Sequence, residues 1–195
     1  MEFATKNLEN DHVSILKLID VMERMTNRIP VVEDLEEVID LIQNFADGLH
    51  HAKEESMLFP LMAERGFSMT QGPISVMLSD HVQGRNFVKG MAGNIDLLKN
   101  GDKSSTKAIY ENMLGYGGLL TNHIAKENNI LFRMADNALS TSDHQSLVTQ
   151  FAEIENQIVS DNSKGNYLAR IEKLALKYLE GFPEQRIHGD NETCN

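Results

Sequence analysis

Apolar residues recur every three to four positions along nearly the whole chain, the period of helices with one buried face. The first such run predicts a helix from about Glu9 to Asn27, with Val13, Leu16, Ile19 and Met22 stepping around its inner side. Pro30 separates it from a second helix, Glu33 to Arg65, whose inner stripe is Leu35, Val38, Ile42, Phe45, Leu49, Met57 and Leu61. Pro60 has no backbone N–H and is expected to end or kink that helix in its last turns. "ERGFSMTQGP" reads as a loop, with Gly66 as a C-cap and Pro73 in the first turn of the third helix.

The third helix covers Pro73 to about Lys99, and the fourth runs from near Thr106 to Ala138. Gly115, Gly117 and Gly118 are poor helix formers in the middle of the fourth, which points to close helix approach or a local irregularity. "STSD" opens a fifth helix, with Ser140 as N-cap and Asp143 three residues on. After "SDNSKGN" a last amphipathic helix reaches about Gly181, and "HGDNETCN" is a frayed tail. The pattern predicts an all-α chain: an antiparallel up-down four-helix bundle over residues 1–138, a helical extension packed on it over 139–182, and a flexible tail over 183–195.

Composition agrees and narrows the function. Tryptophan is absent, aromatics make up 6%, and β-branched runs are short. A net charge of −11 argues against nucleic acid or an anionic membrane as the main partner. No apolar run approaches the roughly 20 residues that span a bilayer, and no secretory signal stands at the N-terminus, so a cytoplasmic protein is expected. The one cysteine, Cys194, excludes an intrachain disulfide, a CxxC pair and a cysteine-held iron–sulfur cluster.

The chemistry lies in a repeat. "HHAKEESMLF" and "HIAKENNILF" align through their Leu-Phe, placing His50 over His123, Lys53 over Lys126 and Glu54 over Glu127. His51 falls opposite Ile124 and Glu55 opposite Asn128, so the repeat keeps His50/Glu54 and discards the other pair. "DHV" occurs at Asp11-His12-Val13 and again at Asp80-His81-Val82. Each half therefore carries one histidine on its first helix and His-x-x-x-Glu on its second, and residues four apart share a helical face. A pseudo-twofold bundle would bury His12, His50, His81, His123, Glu54 and Glu127 together. Such a core is costly unless cations occupy it, and bundle cores are a recurrent place for dinuclear sites. Mixed imidazole and carboxylate ligation suits iron, manganese or zinc. If Glu54 and Glu127 bridge two metals that each take two histidines, an oxo, hydroxo or water bridge still leaves room for an exogenous ligand.

The whole pattern, from "DHVSILKLI" through "HHAKEESMLFP" and "GPISVMLSDHVQGRNFV" to "NHIAKENNILFRMAD", resembles the hemerythrin-like (HHE cation-binding) family over roughly residues 9 to 138. The resemblance implies a four-helix bundle with a non-haem pair of iron ions (Fe2+/Fe3+). It implies His12 and His50 on one iron, His81 and His123 on the other, and Glu54 and Glu127 as bridges. The oxygen-carrying branch implies HxxxH on the third helix and a bridging Asp five residues after the last histidine. Here Arg85 stands four after His81 and the second bridge is Glu127, so one iron loses a histidine. That departure moves the reading toward relatives linked to oxygen or redox sensing, nitric oxide response, peroxide reactivity or iron handling.

Around the six ligands, Tyr116 lies two turns before His123 and is a candidate to hydrogen-bond a ligand or donate a proton. Leu58 and Leu131, four residues beyond each glutamate, are expected to roof the metals. Asp11 and Asp80 fit either a role orienting neighbouring histidines or helix capping. Arg85 is read as pairing with a surface acid rather than steering an anion, and the methionines as core filler. His51 and His144 are read as solvent-facing or end-of-helix residues, with His51 an extra ligand if its helix rotates. Three functions remain in play: binding or reaction with O2, NO or peroxide in sensing or stress response; iron storage, delivery or iron-centre repair; and a metal-dependent regulatory module. Repair relatives often carry a cysteine-bearing N-terminal domain, which is not seen before the first helix here. Any turnover would belong to the metals, and a homodimer is compatible with the sequence.

Overall fold

A computed structural model describes residues 3–157 and 163–180, and every element among them is helical. The order is α1 (Ala4–Met25), α2 (32–64), α3 (Gly72–Lys99), α4 (105–138), α5 (Thr141–Gln157) and α6 (164–180). Helices α1 to α4 form the bundle; α5 and α6 pack along it. None of the described helices is long and apolar enough to cross a membrane.

Two of the bundle helices are not α-helical throughout. In α2, ordinary α-helix over Val32–Leu41 widens into π-helix over Ile42–His51 and again over Glu54–Leu58, then returns to α-helix over Phe59–Glu64. In α4 the same happens over Glu127–Leu131, the stretch that the repeat aligns with Glu54–Leu58. π-turns of this kind concentrate at functional sites. Here two of the widened stretches, Glu54–Leu58 and Glu127–Leu131, begin at the two repeat glutamates.

Of the two outcomes expected of Pro60, ending or kinking α2, the first does not occur: the helix runs on to Glu64, close to the expected Arg65. The Phe59 N–H bonds back to the Glu54 carbonyl, and Pro60 falls in the first turn of the α-segment that follows, where a missing N–H costs little. The helix stops at Glu64. Gly66 then adopts φ +98°, and the Phe67 N–H reaches the Met62 carbonyl at 3.2 Å. Pro73 and Ser140 act as expected. Ser140 Oγ accepts the Asp143 N–H at 3.2 Å, and Asp143 Oδ2 accepts the Ser140 N–H at 2.9 Å.

The inner face of α1 differs from the sequence reading. Leu8, His12, Ile15, Leu18 and Met22 point inward, while Val13 is 64% exposed and Leu16 only half-buried. Burying His12 turns its neighbour outward, since successive helical residues point about 100° apart. Of the three glycines in α4, Gly115 lies against the Phe87 ring and Gly117 against Ile19, whereas Gly118 meets nothing.

The core is divided. One apolar cluster joins Ile15, Met22, Phe45, Leu49, Val88 and Met113 under Tyr167, Ile171 and Tyr178 of α6. The other joins Leu8, Leu58, Phe59, Met62, Leu131 and Phe132 under Leu147 and Phe151 of α5. Between them lies a layer of histidine and glutamate, so Leu58 and Leu131 close the site from one side as part of the second cluster.

Candidate metal centre

The six residues named by the repeat converge in that layer, each 2% exposed or less. His12 Nε2 and His50 Nε2 stand 3.0 Å apart, and His81 Nε2 and His123 Nε2 3.2 Å apart. Glu127 Oε2 is 3.2 Å from the Nε2 atoms of both His12 and His123. Glu54 reaches His50 with Oε1 at 3.6 Å and His81 with Oε2 at 3.5 Å. Each carboxylate thus spans the two histidine pairs.

Every inward-facing ring is held from behind through Nδ1, the arrangement that fixes tautomer and orientation in metal-binding histidines. His12 donates to Asn128 Oδ1 at 2.7 Å and His81 to Glu55 Oε1 at 2.7 Å. His50 meets Asp11 Oδ2 and His123 meets Asp80 Oδ2, both at 3.4 Å. These partners obey the pseudo-twofold: Asn128 aligns with Glu55, and Asp11 with Asp80. Both aspartates lie inside helices, α1 and α3, so they orient histidines and do not cap. Apolar stacking repeats the symmetry, with His12 against Phe132 at 5.5 Å and His81 against Phe59 at 6.2 Å.

His51 overturns its solvent-facing reading. It is 5% exposed, its Nδ1 donates to Asp47 Oδ1 at 3.1 Å, and its ring lies on that of His81. Its ligand-type nitrogen falls in one cluster with Glu54, His81 and His123, while His12, His50, Glu54 and Glu127 form a second; within each cluster one ligand atom per residue lies within 4.8 Å of the others. The π-turns ending at His51 bring two consecutive histidines to the inside of one helix. The signal available in sequence was Asp47, four residues before His51, the spacing of an acid that orients an imidazole. His144, also read as peripheral, is fully buried and accepts the Ala4 N–H on Nδ1, tying α5 to the start of α1.

The donor set fits cations. All four carboxylate oxygens of Glu54 and Glu127, and Nε2 of His51, are buried without a hydrogen bond, an arrangement normally disallowed. Burial, with the Glu127 charge beside it, pushes the Glu54 carboxyl well above its usual range. Burial drives His50 down to about 3 and lowers His51 and His81 as well, so these rings are neutral at neutral pH. Only His123, beside the Glu127 charge, is shifted the other way, upward; the two clustered carboxylates and the neutral imidazoles supply a ligand set for cations.

Arg85 binds carboxylates, as read, but these are not idle surface acids. Its guanidinium reaches Asp47 at 2.7 Å and Glu55 Oε1 at 2.8 Å, the residues that orient His51 and His81. Beside it a cavity of about 250 Å3 opens against His51, His81 and Tyr116. Tyr116 makes no hydrogen bond to either glutamate.

The pseudo-twofold breaks at one further place. Lys53 is fully buried, and its Nζ donates to Asp11 Oδ2 at 2.5 Å, Asn7 Oδ1 at 2.7 Å and Glu155 Oε1 at 2.8 Å. Lys164 of α6 adds contacts to Asp11 Oδ1 at 2.7 Å and Glu155 Oε1 at 2.8 Å. The symmetry-related Lys126 touches Asp80 at 2.5 Å but is 39% exposed. None of Lys53, Glu155 or Lys164 had been singled out from the sequence. A shared lysine in a repeat carries no mark of burial, and its partners lie 42, 46 and 102 residues away.

A helical bundle with two carboxylate-bridged histidine clusters defines a class, and the comparisons agree. Residues 4–135 match the Hemerythrin HHE cation binding domain, and the chain belongs to that family. It is similar to the iron-sulfur cluster repair protein YtfE of Escherichia coli O157:H7, 34% identical over 88 residues, 44% of this chain and 40% of that protein. The YtfE protein of Enterobacter sp. (strain 638) is 35% identical over the same shares. The chain thus matches less than half the length of these curated relatives. No solved structure matches.

Proposed function

We propose that the chain holds two iron ions, one among His12, His50, Glu54 and Glu127 and the other among His51, His81, His123 and Glu54, and that the pair reacts with O2, NO or peroxide under oxidative or nitrosative stress. The observation that carries this reading is the set of five buried donor atoms without hydrogen bonds, on Glu54, Glu127 and His51. When bound, ferrous ions supply electrons to a small oxidant and Lewis acidity for its reduced form. The chain's own part is to hold and shield. Glu54 would serve both ions and Glu127 the first, five Nδ1 hydrogen bonds lock the imidazoles, and Leu58, Leu131, Phe59 and Phe132 exclude water from one side. The hydroxyl of Tyr116, held protonated by burial, is a proton source at the cavity side.

A second reading, iron delivery to damaged iron centres, is favoured by the printed name of the relatives. One experiment separates them. Protein purified without oxygen is assayed for metal, then exposed to oxygen beside a ferrous chelator. About two retained irons with a changed optical spectrum supports ligand chemistry. Iron passing to the chelator supports delivery. Zinc, or no metal in folded protein, overturns both.

A further inference from the structure

The cavity beside His51 and His81 is larger than a diatomic ligand or peroxide needs. Its volume, about 250 Å3, exceeds the roughly 150 Å3 that accommodates benzene in an apolar protein interior. It runs between α2 and α3, with Tyr116 of α4 at its back. The His51 and His81 rings and Gly84 form the inner end, and Ile42, Val88 and Ala92 form the sides. Gly84 keeps that end open: a Cβ there would meet the Tyr116 ring only at 3.6 Å, and any larger side chain would extend into the space.

Two features say what the cavity would hold. Ile42, Val88 and Tyr116 are each 6% exposed or less, so the walls are apolar. The hydroxyl of Tyr116 makes no hydrogen bond to any described residue and stays accessible from the cavity, a free donor there. At the mouth, Arg85 is already bonded to Asp47 and Glu55, while Gln43 and the exposed Lys89 line only the outer rim. A charged ligand entering past that pair would lose solvation with no free counter-charge inside.

We infer that this cavity binds a small uncharged organic molecule of about ring size, its apolar body against Ile42 and Val88 and one oxygen accepting a hydrogen bond from Tyr116. The inference deepens the proposed function, because such a molecule would lie beside the His51–His81 cluster. Its binding requires only the cavity.

The test uses two probes with the same ring, neutral cyclohexanol and anionic cyclohexanecarboxylate, titrated calorimetrically into the full chain with its metal content counted in the same sample. Cyclohexanol is expected to bind at one site, and the carboxylate at least about tenfold more weakly. Tyr116→Phe should weaken cyclohexanol about fivefold, the loss of one net hydrogen bond. Gly84→Leu should abolish binding with helicity and metal content unchanged, and Ala92→Phe, at the half-buried outer end, does the same if Gly84→Leu fails to fold. No cyclohexanol binding to the wild type, equal or tighter carboxylate binding, or unaltered binding in the filled variants would overturn the inference. Two bound metals without cyclohexanol binding defeats the cavity proposal alone. Cyclohexanol binding without metal defeats the metal reading alone.

Discussion

The imidazoles of His51 and His81 lie nearly parallel, their centroids 3.8 Å apart and their planes inclined by 17°. One comes from the widened turns of α2 and the other from α3. Asp47 holds the first from behind and Glu55 the second, and Arg85 joins those two carboxylates. A residue absent from the internal repeat thus sits inside the layer that the repeat builds.

His51→Ile installs the residue that the other half carries at the aligned position, Ile124. If His51 is a ligand, the variant should fold and keep the His12–His50 metal while the second metal binds at least about tenfold more weakly, as when a metal site loses even an indirect contact. Metal analysis after dialysis should fall from about two ions per chain toward one. Unchanged stoichiometry and affinity would return His51 to the core.

Lys53→Met removes the buried cation between Asp11 and Glu155. Breaking a buried pair by deleting one partner costs about 3–5 kcal/mol when the remaining charge is stranded. The loss here should fall at the lower end, because Lys164 still faces Asp11 and Glu155. The variant should melt well below the wild type in the metal-free state. Lys126→Met, at the half-exposed equivalent, should cost about 1 kcal/mol or less. Equal losses at the two sites would contradict the asymmetry of burial.

Acidification should destabilise the metal-free protein. His50 titrates near 3 when folded, below its ordinary value of 6.5, so between those values the unfolded chain binds more protons than the native one. Stability therefore rises with pH across that window and falls on acidification, most steeply once the unfolded histidines protonate. Thermal melts at pH 7.5, 6.5 and 5.5 should show a progressive decline. A flat profile would mean that the folded histidines protonate as readily as free ones.

The glycines of α4 give a paired test of packing. A Cβ on Gly115 would meet the Phe87 ring at 2.5 Å, whereas one on Gly118 meets nothing within 4 Å. Gly115→Ala should destabilise by about 1–3 kcal/mol through overpacking. Gly118→Ala should stabilise by about 0.5–1 kcal/mol through helix propensity. Urea denaturation of the two variants measures the contrast.

The sequence made six helices and six donors legible because both rest on repetition: apolar residues at helical spacing, and Asp-His with His-x-x-x-Glu occurring twice. Reading by repetition also hid His51, since Ile124 opposite it counted as evidence against a role. The π-turns that bring His50 and His51 inward follow no 3.6-residue period. Val13 misled for a related reason: an apolar residue beside a buried histidine looks like the more natural core position. Lys53, Glu155 and Lys164 carry the chemistry of surface residues, and only the docking of α5 and α6 makes them interior.

That docking has a kinetic corollary. A duplicated bundle offers two interchangeable seats, but here Asp11, behind His50, is sealed by Lys53, Lys164 and Glu155, while Asp80, behind His123, keeps a side open to water. If the two clusters hold metals as proposed, water and competing chelators would meet one seat before the other. The extension would then turn a symmetric pair into a sequence, with the His81–His123 seat expected to fill first and empty first.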